Sequence, residues 1–109
     1  MSNDLSITIG SGNVFADLEL ENADELLARS QLGFAVREQL ELRGHSSIGA
    51  ISAFLAIDTN AAIDLIEGRF YLFTETQLIG FLNRLERKVT LTVTPYKQGE
   101  RKLEVKLAA

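Results

Sequence analysis

Thr59 and Asn60 stand side by side in a stretch, Ser46 to Gly68, whose charged residues are the acids Asp58, Asp64 and Glu67. A carboxamide donates and accepts at once, the pattern an adenine edge presents, and a threonine offers a hydroxyl to a phosphate or a methyl to a thymine. Ile63 suits a thymine methyl or the groove of another protein, and Asp64 can accept from a cytosine amino group although it faces phosphate at a cost. Other chemistries have less to work with. His45 is the only histidine and cysteine is absent, so a metal site would need carboxylate partners that no spacing indicates, and no Ser, His and Asp arrangement can be argued. The pairs Asp24-Glu25 and Glu19-Glu21 read as solvated or dipole-stabilising charges, because acid-base catalysis needs two carboxyls in different environments of one cleft. Gly10-Ser11-Gly12 is followed by no Gly-Lys-Ser/Thr and reads as a turn rather than a phosphate loop. Neither an enzyme, a cofactor nor a metal is expected.

The elements that must position these residues follow from spacing and capping. Ser46 and Ser47 can cap a helix whose apolar side carries Ile48, Ile51, Phe54 and Leu55, and Ala56-Ile57-Asp58 breaks it. Asp58 or Thr59 caps a second helix with Ala62, Leu65 and Ile66 inward, leaving Thr59, Asn60, Ile63, Asp64 and Glu67 outward. Two short helices joined by a few residues form the helix-turn-helix unit by which many small proteins present a second helix to DNA. The candidate contact set is Ser47, Thr59, Asn60, Ala61, Ile63 and Asp64.

Flanking segments brace this unit. Asn22 can cap a short helix leading into a longer one that ends at Arg43, with Gly44 as its stop. Thr74 with Gln77 forms a capping box, and Phe73 with Leu78 a hydrophobic staple, opening a helix that buries Leu78, Phe81, Leu82 and Leu85. Residues 5–9 alternate like a short strand, and 89–94 with 102–107 read as a β-hairpin whose apolar face needs a cover. The expected fold is mainly α, one domain over 1–109, with a helical core at 14–88, an N-terminal strand and a hairpin at 89–107.

At 109 residues and 46% hydrophobic content the chain is sized for one core. It shows no basic-then-apolar leader and no apolar run near the roughly 20 residues of a membrane span, so a cytoplasmic protein is expected. The net charge of −4 is unevenly spread: residues 1–83 carry four basic against twelve acidic residues, residues 84–109 seven against three. The tail is where an anion, phosphate or acidic partner surface, would be welcomed, unless its charges serve only solubility.

The runs GNVFADL from Gly12, ADELLARSQL from Ala23, Arg43-Gly44, the Ile57-Asp58 turn, LIEG from Leu65 and FLNRLERKVTLTV from Phe81 together resemble the XRE-type (lambda-repressor-like) helix-turn-helix regulators, and among them HigA-like antitoxins. The resemblance implies a homodimer that binds duplex operator DNA through the second helix, often beside a toxin that it neutralises. Departures fall on the reading face. Ile48 replaces the polar residue that touches phosphate, Ala56 the turn glycine, Glu67 a common basic residue, and one extra residue lies between Gly44 and the first helix. Two readings stay open: a DNA-binding regulator, or a protein-interaction module on the same scaffold that has lost DNA binding.

Overall fold

A computed structural model describes residues 22–106; the expected N-terminal strand lies outside them. Four α-helices appear among the described residues: α1 (Ala23–Leu42), α2 (Ile48–Leu55), α3 (Thr59–Ile66) and α4 (Glu75–Arg84), with a 3₁₀ turn at Phe70–Leu72 before α4. None is long and apolar enough to cross a membrane.

The expected break within the first helical segment does not occur: α1 is one helix of 20 residues, about 30 Å long. Gly33 sits at its middle without breaking it, because the helix needs the missing side chain there. A Cβ at Gly33 would lie 2.1 Å from the Phe70 ring, so the glycine lets the 3₁₀ turn press Phe70 against the α1 backbone. Asn22 stands at the N-cap, but its side chain makes no capping bond.

Ala28, Leu32, Val36 and Leu40 are all buried, and at four-residue spacing this stripe turns about 40° per step round the helix. It can therefore meet more than one neighbour. α4 lies alongside α1 in the same sense: Arg29 pairs with Glu75 at the start of α4 at 2.8 Å, and Arg43 donates to the Leu85 carbonyl past its end at 3.0 Å. Leu78 and Leu82 close the core from α4 and Leu85 from just past its end, while Ile51, Leu55, Ala62 and Leu65 enter it from α2 and α3.

Each helix stops on a residue in the left-handed region: Gly44, Ala56, Gly68 and Glu86, with φ of 79°, 56°, 80° and 62°. Behind each, the next amide reaches back to a carbonyl in the last turn: His45 to Leu40, Ile57 to Ser52, Arg69 to Asp64 and Arg87 to Leu82. These are Schellman-type stops, which satisfy carbonyls the helix leaves open. Two of the four positions lack the glycine that the conformation favours.

No strand is present among the described residues, which corrects the expected hairpin at 89–107. Its turn forms: the Glu100 amide donates to the Lys97 carbonyl at 3.1 Å, with Gly99 at φ 94°. The arms do not become strands, because their apolar residues divide between two environments. Val89 and Val105 pack against the helical core, whereas Leu91 and Val93 are 78% and 97% exposed. Nothing within the described residues covers that second face, and an uncovered two-stranded ribbon is marginal in water.

Candidate nucleic-acid interface

α2 and α3 are eight residues each, separated by Ala56-Ile57-Asp58 and bent by 114° at the break. That lies within the crossing range of helix-turn-helix pairs. Side chains at both starts cap them: the Ala50 amide donates to Ser47 Oγ at 3.1 Å, and the Ala61 amide to Asp58 Oδ1 at 2.7 Å. Ser52 clasps the turn between them, since its hydroxyl donates to the Ile57 carbonyl while its own carbonyl accepts the Ile57 amide.

The scaffold holds the far ends. Neither α2 nor α3 has a basic residue in its last turn, and both receive a guanidinium from outside. Arg84 Nε on α4 donates to the Phe54 carbonyl, and Arg37 on α1 donates to the Ile66 carbonyl at 3.2 Å while lying 5.7 Å over the Phe70 ring. A cation at a helix C-terminus meets open carbonyls and the negative end of the helix dipole. The arrangement fixes both helices of the unit against α1 and α4.

Thr59 and Asn60 are exposed on the first turn of α3, Ala61, Ile63 and Asp64 are half-buried along it, and Glu67 is exposed just past its end. Ser47, exposed at the start of α2, has its hydroxyl engaged as the cap. Ala62 and Leu65 face fully inward. The inward Ala62 and Leu65 and the exposed Thr59, Asn60 and Glu67 match the spacing-based reading, whereas Ile66, expected inward, is half-buried like Ile63 and Asp64.

The acids on this face have a partner that spacing did not reveal. Arg69 Nε pairs with Asp64 Oδ1 at 3.0 Å, and its other arm with Glu67. Gly68 brings this about: its left-handed turn folds the chain back so that the Arg69 amide meets the Asp64 carbonyl at 2.8 Å. The hydrogen bond to Asp64, followed by that to Glu67, raises the guanidinium pKa above its ordinary value. Of the three carboxylates near α3, Asp64 and Glu67 are thus paired with one cation, and Asp58 is occupied as a cap.

The basic tail lies elsewhere. Ala28, Ala35 and Gln39 of α1 border a cavity of about 400 Å³ together with Val89, Leu91 and Val105, and the Lys102 amide donates to the Asp24 carboxylate at 2.9 Å. Gly33 and Arg37, which meet Phe70 and α3, point about 160° away round the helix. The tail packs on the side of α1 remote from α3. Its cations do not extend the outer surface of α3.

His45 stacks on Phe54 with ring centroids 4.6 Å apart, and Arg43 approaches the same ring. Phe73 meets Phe81 edge-on at 5.8 Å. Both ring pairs serve packing around the unit.

A family of helix-turn-helix domains matches the chain over residues 14–94. The chain belongs to this family. The matched span takes in all four helices of the described domain and the first part of the arm. No curated protein and no solved structure matches. For this helix-turn-helix domain, sequence reasoning located the outer residues of α3 but missed Arg69, Arg37, Arg84 and Ser52. The one local signal for Arg69 was Gly68, a glycine one residue past the helix end.

Proposed function

We propose that this helix-turn-helix domain is a transcriptional regulator that binds duplex DNA through α3, with Thr59 and Asn60 as its principal readers and Ala61, Ile63 and Asp64 along the same face. Ser47 sits at the start of α2, where a helix N-terminus can approach a phosphate. The observation that carries this reading is the exposure of Thr59 and Asn60 on the first turn of α3, in a helix pair bent by 114°. The start of a recognition helix is the part that reaches base edges in this class of domain.

In its finer form the reading is an XRE-type, antitoxin-like homodimer, as the ordered resemblance implies. Titration into labelled duplex from the region upstream of its own gene, at low and moderate salt, tests the DNA function. Micromolar or tighter binding that weakens with salt is expected, and Asn60→Ala is expected to lose about 1–3 kcal/mol at one base position. Absence of binding in low salt would leave the second reading. That reading is a protein-interaction module, and the observation in its favour is that Arg37, Arg43, Arg69 and Arg84 are all engaged within the domain.

A further inference from the structure

Four arginines around the helix-turn-helix unit make internal contacts, and one of them differs in kind. Arg37, Arg43 and Arg84 donate to the backbone carbonyls of Ile66, Leu85 and Phe54, and Arg43 also pairs with the Glu86 carboxylate while holding its carbonyl. Withdrawing any of these guanidiniums would strip a helix end of its partner. Arg69 instead pairs with two carboxylate side chains, Asp64 and Glu67, and its own side chain is 40% exposed beside a Glu67 that is 51% exposed. Ion pairs that open to water are weak and readily exchanged.

We propose that Arg69 is a phosphate-contacting residue held in reserve: Asp64 and Glu67 hold its guanidinium in the free protein, and on duplex DNA it exchanges them for a backbone phosphate. This rests on the DNA-binding reading above. The planar fork of a guanidinium fits carboxylate and phosphate oxygens alike, so the exchange replaces one bidentate partner by another. The left-handed turn at Gly68 places Arg69 against Asp64 on the outer side of α3. The carboxylates it leaves behind face the duplex and repel phosphates that are not matched by base contacts elsewhere on α3. The clamp therefore lowers indiscriminate binding more than binding at the correct site, and Asp64, Glu67 and Arg69 together determine specificity.

A mutant cycle on the full chain, read by anisotropy of a fluorescent duplex over a salt series, tests this. The upstream duplex and an unrelated duplex of equal length serve as probes. Asp64→Asn with Glu67→Gln is expected to raise affinity for the unrelated duplex about tenfold at low salt, and Arg69→Gln alone to reduce the salt slope by about one. The gain from removing the carboxylates is expected to be several-fold smaller in the Arg69→Gln background. A gain equal or larger in that background overturns the proposal, because Arg69 would then be a fixed shield over the carboxylates. So does a salt slope unchanged by Arg69→Gln. In both cases the wild-type chain still binds the upstream duplex and the DNA reading stands. If neither the wild-type chain nor the carboxylate variant binds either duplex, the DNA reading falls and the proposal with it. Binding gained only by the carboxylate variant, and lost again with Arg69→Gln, supports the clamp. Unfolding temperatures of all variants, expected to lie close together because Asn and Gln keep the shape of the half-buried Asp64 and the exposed Glu67, separate these outcomes from misfolding.

Discussion

Ala56 holds φ 56° and ψ 46° at the hinge between the two helices of the unit, a conformation that a Cβ makes unfavourable by about 1–2 kcal/mol. The strain is held in place by Ser52, whose hydroxyl and carbonyl grip Ile57 from both sides, and by Ile51 and Leu55 buried just before the turn. Replacement by glycine removes the Cβ conflict but adds freedom to the unfolded chain, which offsets part of the gain. Ala56→Gly is therefore expected to stabilise the domain by about 1 kcal/mol, measured as a shift in urea midpoint at constant slope. A loss of stability would show that the methyl group makes a packing contribution larger than the strain. At this scale the sequence was informative wherever a side chain acts on its own neighbours. Ser47, Asp58, Thr74 and Gln77 form the caps expected of them. It was uninformative about Ser52 and Arg69, whose partners depend on how the backbone turns after a helix has ended.

Between elements, α1 and α4 are joined near their starts by the Arg29–Glu75 pair, 24% and 31% exposed. Partial burial pushes the Glu75 carboxyl up, but the hydrogen bond from Arg29, the backbone amide and the arginine charge outweigh it and hold its pKa below the ordinary 4.5. The sign of the linkage follows. A carboxylate with a depressed folded pKa contributes stability that is present in full above its unfolded value and is lost as pH falls through the folded one. The stability difference between the wild-type chain and Glu75→Gln is thus expected to be constant near neutrality, to shrink below about pH 4.5, and to vanish in stronger acid. A difference that stays constant through that range, followed by urea unfolding, would mean that the pair adds nothing electrostatic. The capping box and the Phe73–Leu78 staple predicted the start of α4 from four nearby residues. The continuity of α1 was not legible in the same way, because the apolar spacing allows a short helix leading into a longer one and the partner that Gly33 admits, Phe70, is distant in sequence.

Across the whole molecule, α3 and the tail after α4 occupy opposite sides of α1, so of the described basic residues from 84 onward Arg84 alone is shown touching the helix-turn-helix unit. The tail leaves Leu91, Val93 and Tyr96 exposed, an apolar row suited to a second copy of the chain, in keeping with the homodimer proposed above. Light scattering is expected to give a dimer for the full chain and a smaller species for Leu91→Ser with Val93→Ser. An unchanged dimer would exclude this row as the essential seam. By itself the sequence determined where α2, α3 and α4 start and with which caps, the stop at Gly44, the break at Ala56-Ile57-Asp58 and the inward Ala62 and Leu65, because helical periodicity and capping act over a few residues. Only the tertiary structure decided that α1 runs unbroken and that the alternating segments at 89–106 are not strands, since both depend on what lies across from them. It also decided where charge meets charge. Asp64 and Glu67, conspicuous in the sequence as part of a run without a base, are offset by Arg69 because Gly68 folds the chain back on itself, and the tail after α4 is packed on the far side of α1.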